Sequence, residues 1–405
     1  MKTLAPLLIV LFAAPDAGRR DYELRTWKKI QLSDVFTCEG AAVGDFNHDG
    51  KMDVVAGPWW YEGPDFTKKH EYYPVKTWKP DNEYSNNFFA FVYDFNKDGW
   101  DDILIYGFPG ADASWFENPK GKDGHWERHE IFKVVDNESP TFVDVNGDGI
   151  PDIVCSTGGR LGYVTIADGK FHPISPKKDY QRFTHGLGVG DVNGDGKMDI
   201  LESRGWYEQP KSLEGDPEWT FHPVNFGKGG AQMYAYDVNG DGLPDVITSI
   251  QAHGYGLSWF EQQKDGTFKE HVIVGKKEEE NPYGIKFSQM HAIDLVDIDG
   301  DGLKDIVTGK RWMAHGSKGD AEPLAPAVLY WFKLVRGKDG SVDWIPNQID
   351  NDSGIGTQVM AADVNGDKHP DIIVGNKKGA FVHLQQVKKV SKEEWEKAQP
   401  KKITQ

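Results

Sequence analysis

Short apolar runs recur along the chain and alternate with polar, glycine-rich segments. In the clearest example, an apolar run at 88–94 is followed after a polar loop by a second run at 102–107. An aromatic run at 114–118 and an alternating run at 125–133 come next. Continuous apolar runs of this length predict strands buried on both faces, whereas alternation predicts a half-exposed strand. These runs therefore predict a four-stranded sheet.

The polar loop between the first and second runs has a fixed pattern that occurs seven times. In the copy at 144–154, DVNGDGIPDIV, Asp or Asn occupies the first, third, fifth and ninth places, and glycine occupies the sixth. Successive copies begin 46 to 66 residues apart. Units of this size, with four strands and aromatic landmarks, are typical of a β-propeller. The sequence therefore predicts an all-β, seven-bladed β-propeller over residues 22–390.

The ends of the chain predict how the ring closes. The last repeat provides only three strands, whereas the stretch 26–33 resembles a fourth strand but precedes the first loop. Because an unpaired sheet edge is a liability, we expect this N-terminal stretch to pair into the seventh blade. The tail 391–405 is predicted to form a short amphipathic helix or a loose end on the outside.

The repeated loop predicts calcium binding. Ca²⁺ prefers six to eight oxygen ligands at about 2.3–2.6 Å, which alternate Asp and Asn side chains on a tight turn can supply. An EF-hand is the competing interpretation, but it requires a Glu at the twelfth place and flanking helices, and neither is present. We therefore expect up to seven structural Ca²⁺ ions. The predicted ligands are Asp45, Asn47, Asp49, Asp53, Asp94, Asn96, Asp98, Asp102, Asp144, Asn146, Asp148, Asp152, Asp191, Asn193, Asp195, Asp199, Asp237, Asn239, Asp241, Asp245, Asp297, Asp299, Asp301, Asp305, Asp363, Asn365, Asp367 and Asp371.

The N-terminus resembles a secretory signal peptide. Lys2 is followed by an apolar run from Leu4 to Phe12 and then by small residues, which is the order of segments in such a peptide. We therefore expect residues 1–17 to be removed and the protein to be secreted or periplasmic; an uncleaved anchor is the alternative. The apolar run is too short to cross a bilayer as a helix, which needs about 20 residues. The mature chain is accordingly predicted to lack a transmembrane segment.

The net charge and the cysteine content indicate which partners and which crosslinks to expect. The formal net charge of the 405 residues is −17, much of it in the repeated loops, so the acidity indicates a supply of metal ligands. Nucleic acid is not an expected partner, because phosphate binding needs clustered Lys and Arg. The two cysteines, Cys38 and Cys155, lie in different repeats, so a disulfide framework is not predicted.

The propeller topology predicts a second site at the face opposite the repeated loops. Residues just before each first strand and just after each second strand should converge there, near the axis. The residues at these positions are Glu39, Asn86, Glu138, His185, Gln232, Gln289, His291 and Gln358 before first strands, and Trp59, Arg160, Arg204, His253, Lys310, Arg311 and Lys377 after second strands. Trp312 and His315 lie in the long segment 310–326. A connection of this length is more often functional than a mere link.

Three histidines from successive blades allow two interpretations. In the first, His185, His253 and His291 share a transition metal such as zinc, with Glu or water, or act as acid and base. In the second, they only hydrogen-bond the backbone of the rim. The residues expected to bind substrate are Glu39, Glu138, Arg160, Gln232, Gln289, Trp312 and Gln358.

The repeats resemble the FG-GAP or VCBS repeat, the blade unit of integrin-α-type propellers. More narrowly, 184–201 with the GWYEQ run, and 307–316, resemble bacterial secreted FG-GAP proteins. They are also similar to the propeller of aldos-2-ulose dehydratase, a fungal enzyme that eliminates water from oxidised sugars. That resemblance implies a sugar-acting lyase or dehydratase with a metal near the axis. The cupin-like domains that accompany that propeller have no counterpart in this chain.

Two functions from different classes follow. In the leading hypothesis the chain is a carbohydrate lyase or dehydratase, in which Arg204, Lys310 and Arg311 orient an oxidised or acidic sugar. His315 is counted with the other three histidines as a catalytic candidate, because an elimination needs a base and a cation that holds the enolate. The alternative is a non-catalytic module that binds a glycan or a protein through the same rim.

Overall fold

The computed structural model describes residues 22–403, which form an all-β propeller with one short C-terminal helix. The strands of the first three repeats are β2 (Ala41–Gly44), β3 (Asp53–Ala56), β4 (Trp59–Tyr61), β5 (Lys69–Glu71), β6 (Phe89–Tyr93), β7 (Asp102–Tyr106), β8 (Ala113–Glu117), β9 (Glu127–Phe132), β10 (Asp136–Val143), β11 (Asp152–Thr157), β12 (Arg160–Thr165) and β13 (Lys170–Pro173). Each repeat forms an antiparallel sheet in chain order, with its first strand innermost. The prediction of an all-β propeller is confirmed.

The later repeats follow the same order. Their strands are β14 (Leu187–Gly190), β15 (Asp199–Glu202), β16 (Gly205–Glu208), β17 (Thr220–Pro223), β18 (Gln232–Tyr236), β19 (Asp245–Ser249), β20 (Leu257–Gln262), β21 (Phe268–Val274), β22 (Ile293–Val296), β23 (Asp305–Gly309), β24 (Leu329–Arg336), β25 (Val342–Asp350), β26 (Val359–Ala362), β27 (Asp371–Asn376) and β28 (Gly379–Val390). A single 3₁₀ turn, Glu278–Glu280, precedes β22.

The strands of the fourth and fifth repeats join into one eight-stranded sheet, because their innermost strands, β14 and β18, pair in parallel. The pairing covers only two positions, Leu187 with Gln232 and Gly188 with Met233. A Cβ atom on Gly188 would lie 2.0 Å from the Met233 carbonyl oxygen, so the strands approach this closely only because residue 188 is glycine. The described residues thus form five separate four-stranded sheets and one eight-stranded sheet, and the prediction of seven separate sheets is wrong for this pair.

Apolar packing joins each repeat to the next. Each of the seven clusters of buried side chains described in residues 22–403 draws on two consecutive repeats. One of them packs Cys38 and Val54 of the first repeat against Ile373 and Val382 of the last. Burial between sheets is the main favourable contribution to this fold, at about 25 cal/mol per Å² of apolar surface removed from water.

The N-terminal strand β1 (Tyr22–Ser33) lies in the sheet of the last repeat, where it pairs antiparallel with β28. The register runs from Tyr22 opposite Val390 to Ser33 opposite Ala380, with one irregularity near Ser33. A helix, α1 (Lys392–Ala398), follows and begins with a Ser391 side chain that accepts the Glu394 N–H. Trp395 of this helix packs beside Tyr22, with ring centroids 5.6 Å apart.

A repeated Trp–His–Glu contact, which the sequence analysis missed, ties third strands to fourth strands. In the fourth repeat the ring of His222 stacks on Trp206, with centroids 4.1 Å apart, and its Nε2 lies 2.7 Å from Glu208 Oε2. Equivalent stacks with a Glu partner recur in the first, second and fifth repeats. Several of the histidines in this chain are therefore part of the outer framework rather than of a site.

No helix within residues 22–403 is long and apolar enough to cross a membrane. The predicted signal peptide, residues 1–17, lies outside the described residues and stays a prediction.

His383 on β28 predicts an acid-sensitive step in stability. Its side chain is fully buried, neither ring nitrogen has a hydrogen-bond partner among the described residues, and burial lowers its pKa to about 4. Because the unfolded chain protonates this imidazole near pH 6.5, the stability it contributes is complete above pH 6.5 and is lost as the pH falls to about 4. We expect the wild-type protein to lose about 3 kcal/mol more unfolding free energy between pH 7 and pH 4 than His383→Leu.

Urea unfolding at the two pH values measures this difference. The other acid-sensitive groups are common to both proteins, so only the difference between them reports on His383. Equal losses in both proteins would show that the buried imidazole is not responsible.

Candidate functional site

Four predicted residues meet near the propeller axis: Glu138, His185, His253 and His291. Glu138 lies on β10, His185 and His291 precede the first strands β14 and β22, and His253 follows the second strand β19. These are the two kinds of position that the topology predicted to converge. One ligand atom from each residue lies within 4.8 Å of the other three.

The side chains point their outer atoms at a common centre. Nε2 of His185 lies 3.2 Å from Nε2 of His291 and 3.1 Å from Nε2 of His253. Oε2 of Glu138 lies 3.5 Å from Nε2 of His185 and 3.2 Å from Nε2 of His291. In a tetrahedral zinc site with bonds of about 2.0–2.1 Å, neighbouring ligand atoms are about 3.3–3.4 Å apart. Four of the six separations are therefore close to those of a three-histidine, one-carboxylate metal site, and the other two are within 4.8 Å.

The electrostatics of the cluster suit metal ligands. Burial, with the nearby Arg311 charge, lowers the pKa of His291 well below its usual value. Burial also lowers the pKa of His253. Burial alone would raise the pKa of Glu138, but hydrogen bonds from His185 and His291 lower it well below its usual value. Neutral imidazoles beside an ionised carboxylate are the protonation states that a metal requires.

Arg311 contacts the carboxylate of this cluster. Its Nε donates to Oε2 of Glu39 at 2.7 Å, and its Nη1 lies 3.5 Å from Oε2 of Glu138. Arg311, Glu39 and Glu138 are all buried. The guanidinium is thus already paired with two protein carboxylates, so it sets the charge of the cluster and is not a free anchor for an acidic substrate.

A second group of side chains comes from the long segment 310–326, which we call the arm. Asp320 places Oδ2 3.4 Å from Nδ1 of His253, and both of its oxygens lie 3.0 Å from Nδ1 of His315. The rings of His253 and His315 have centroids 4.3 Å apart. His315 is about half exposed, so its ring stands at the entrance to the histidine cluster.

A cavity of about 260 Å³ opens above the cluster. Its floor contains Glu138, His185, His253 and Arg311 beside His315, and its walls are aromatic: Tyr84, Phe88, Phe108 and Phe183. Phe183 is 46% exposed. Sequence reasoning missed these aromatic residues, because they lie in loops or among other core residues and follow no repeat position.

Several predicted ligand residues instead hold the arm in place. Nζ of Lys310 is buried and donates to Oγ of Ser288 at 2.8 Å. The Gln289 side chain donates to the carbonyl of Ala321 and accepts the N–H of Ala314. Nζ of Lys377 donates to the carbonyls of residues 313 and 314 at 3.0 and 3.1 Å. These side chains hydrogen-bond other groups of the protein and do not line the cavity.

Other predicted rim residues do not line the cavity. Arg204 pairs with Glu202 and Asp179, and Arg160 donates to the Ser175 carbonyl. Trp312 lies 4.5 Å below the ammonium group of Lys378. Two glutamines connect innermost strands across the axis: Gln232 accepts the Ile293 N–H and donates to the Thr357 carbonyl, and Gln358 bonds both backbone groups of Ala90.

The repeated loops lie between the first and second strands and are folded by their own backbone. In the third repeat, the two oxygens of Asp144 accept the N–H groups of Gly147 and Gly149, and Oδ1 of Asn146 accepts that of Asp148. The sixth-place residue has a positive φ in every copy, including the lysine of the last one, Lys368, at φ 71. All seven loops thus share a left-handed residue at the sixth place, and calcium binding by these loops stays a prediction.

The ninth-place aspartates also brace the sheets. In the fifth repeat, Oδ2 of Asp245 accepts the N–H of Val238 in the loop, and Oδ1 accepts that of Gln262 at the end of the third strand. The same pair of bonds recurs at Asp53, Asp102, Asp199, Asp305 and Asp371. Burial raises the pKa of these carboxyls, to about 6 in Asp245 and about 8 in Asp305.

Two repeat families match the sequence. An FG-GAP-like repeat model matches residues 94–155, 144–202 and 237–308, and an FG-GAP repeat model matches residues 355–382. Together these segments cover about half of the chain.

Two curated relatives match parts of the sequence. A T-cell immunomodulatory protein homolog of Plasmodium falciparum (isolate 3D7) is 26% identical over 204 residues, which is 39% of this chain and 28% of the relative. Integrin alpha pat-2 of Caenorhabditis briggsae is 25% identical over 309 residues, which is 67% of this chain and 22% of the relative. The chain thus spans about a quarter of the length of these relatives.

Solved structures resemble the fold. BBS1N, crystallised in complex with ARL6DN, superposes with a TM-score of 0.52 at 9% identity over 92% of this chain and 99% of that one. Rhamnogalacturonan lyase YesW superposes with a TM-score of 0.42 at 13% identity over 89% of this chain and 72% of that one. At 9% identity the likeness to BBS1N concerns the fold alone.

Proposed function

The chain belongs to the FG-GAP repeat family of β-propellers, and we propose that it is a metal-dependent lyase of the dehydratase type that acts on a small carbohydrate at the axial cluster. The observation that carries the proposal is the convergence of three imidazole nitrogens and one carboxylate oxygen at distances of 3.1 to 3.5 Å. Glu138, His185, His253 and His291 would hold the metal. A structural role alone does not account for four titratable side chains directed at one point.

The class of reaction is inferred from the metal site and from His315 beside it. Glu138, His185, His253 and His291 would hold a divalent metal, which would supply Lewis-acid stabilisation of negative charge on the substrate oxygen. His315, at the entrance, has Nδ1 turned to Asp320, which leaves Nε2 for the cavity. As a base, it would take the proton next to the substrate carbonyl; as an acid, it would return that proton to the departing hydroxyl. A C–H and a C–O bond break, a C=C bond forms, and water leaves.

The cavity limits the substrate. About 260 Å³ accommodates a single sugar ring rather than several units. Phe108 and Phe183, whose rings stand edge to face with centroids 5.7 Å apart, give the wall an apolar surface for the C–H side of such a ring. The one cation of the lining, Arg311, is paired with Glu39 and Glu138, and this favours a neutral oxidised sugar over an acidic one.

Metal analysis followed by turnover tests the proposal. The purified protein is incubated with a panel of neutral keto-sugars and uronates, and formation of an α,β-unsaturated carbonyl is followed by its ultraviolet absorbance. We expect elimination with neutral keto-sugars, and His315→Ala should lower kcat by about 10²–10⁴-fold at unchanged metal content. Metal-loaded protein that turns over no member of the panel would contradict the assignment as an enzyme.

The alternative is a binding module that recognises a glycan or a protein with the same cavity. It predicts measurable affinity without turnover, and it predicts that His315→Ala changes affinity only. The aromatic walls support this alternative as well as the enzyme, whereas the convergent metal-ligand geometry favours the enzyme.

For the architecture, we propose that the two halves of the eight-stranded sheet act as separate blades, which gives seven blades with β1 as the closing strand of the last. The seven apolar clusters between consecutive repeats support this count. We also propose that the repeated loops bind up to seven Ca²⁺ ions and that the protein is secreted or periplasmic. The similarity to aldos-2-ulose dehydratase stays a prediction.

A further inference from the structure

The arm, residues 310–326, carries a carboxylate that faces two histidines at once. Nδ1 of His253 is buried and has no hydrogen-bond partner among the described residues; the Asp320 carboxylate, 3.4 Å away, faces it. The same carboxylate lies 3.0 Å from Nδ1 of His315 and accepts the backbone N–H of that residue at 3.1 Å. The side chain of Asp320 is 11% exposed; its contact with His253 is half-buried, whereas its contacts with His315 lie at the exposed mouth of the cavity.

We infer that Asp320 is a positioning residue, which orients His253 as a metal ligand and His315 as the proton carrier. This inference rests on the proposed metal site. A ligating imidazole generally donates its second N–H to a carboxylate, which fixes the ring and strengthens it as a ligand. Asp320 stands on the outer side of His253, opposite the cluster, where such a partner belongs.

The position of the arm does not depend on this carboxylate. Lys310 and Lys377 reach carbonyl groups of the arm, and the Gln289 side chain bonds it at Ala314 and Ala321. A further anchor is Asp81, whose Oδ1 accepts the N–H of Ser317 at 2.9 Å. Asp320→Asn keeps an oxygen that can accept the N–H of His315, so removing the charge should leave the arm folded and weaken mainly the contacts with the two imidazoles.

The experiment compares Asp320→Asn with the matched control Asp81→Asn in the full chain. Apo protein is titrated with Co²⁺, with the visible absorption spectrum and a competing chelator as readouts. We expect Asp320→Asn to weaken Co²⁺ binding by about 10–100-fold and to shift the cobalt spectrum. Asp81→Asn removes the charge of one anchor of the same arm but faces neither histidine, so its Co²⁺ affinity should stay within about threefold of wild type.

The outcomes separate the two claims. Wild-type protein that binds no Co²⁺ at the cluster overturns the proposed function, and the role of Asp320 falls with it. Wild-type binding that Asp320→Asn and Asp81→Asn affect equally overturns the role of Asp320 alone. If Asp320→Asn melts lower than Asp81→Asn, Asp320→Glu decides: recovery of affinity supports positioning by a carboxylate, and failure to recover refutes it.

Discussion

Replacing His291 by alanine is expected to weaken transition-metal binding at the axial cluster by at least about a hundredfold. A four-ligand zinc site is worth about 10–16 kcal/mol, so each ligand contributes about 3 kcal/mol and its loss weakens binding by a factor of at least about a hundred. His291 is fully buried, and its Nε2 lies 3.2 Å both from Nε2 of His185 and from Oε2 of Glu138. Metal affinity is measured by chelator competition on the purified variant.

The matched control is His222→Ala. This histidine is also paired with a glutamate and packed on a ring, but it lies on an outer strand. It should leave the metal affinity unchanged. Equal affinity in His291→Ala and His222→Ala would show that the ion, if bound, is not held by the cluster.

The second large effect is expected from calcium removal. If each loop is saturated at a hundred times its Kd, each ion adds about 2.7 kcal/mol, and seven ions add about 19 kcal/mol. With an unfolding entropy near 2.1 cal/mol/K per residue, a ring of this size should melt about 20 °C lower in excess chelator. Calorimetry with and without chelator, and with calcium restored, measures the shift; a shift under a few degrees would contradict the prediction.

Substitutions at two aspartates of one loop distinguish calcium binding from hydrogen bonding to the sheet. Asp148, at the fifth place, accepts the N–H of Ile150 and a side-chain N–H of Asn146, both within its own exposed loop. Asp152, at the ninth, is buried and accepts the N–H of Val145. We expect Asp148→Asn to lower the melting temperature in calcium and not in chelator. Asp152→Asn should lower it in both, because its carboxylate also braces the sheet.

The effect of the chelator should shrink in mild acid. Burial raises the pKa of Asp152 to about 7 and that of Asp53 to about 6. As the pH falls through these values, protons compete with calcium, while the apo protein gains stability because a raised carboxyl pKa favours folding below it. Both changes reduce the difference between the calcium-bound and chelated proteins.

Much of the framework could be predicted because it repeats. A nine-residue loop pattern and alternating apolar runs specify strands and their order, and the topology then directs His185, His253 and His291 to one place. The pairing of β14 with β18 escaped prediction because it depends on a single close approach at Gly188, one glycine among 46 in the chain.

The contents of the site were harder to predict, because a polar residue at the rim can face either the cavity or the backbone. Lys310 and Gln289 occupy positions suited to ligand binding, yet they support the arm. Asp320, Phe108 and Phe183 belong to irregular segments whose course no periodicity specifies. Their roles follow only from distances across the fold.

The pairing of β1 with β28 also determines how the ring responds to mechanical load. Tyr22 is opposite Val390 at one end of this pair of strands. A force that pulls these two residues apart therefore breaks the hydrogen bonds between the strands one pair after another. The two strands would then separate at low force. The same pair loaded along the strands, from Ser33 to Val390, would have to break many bonds together and should hold far longer.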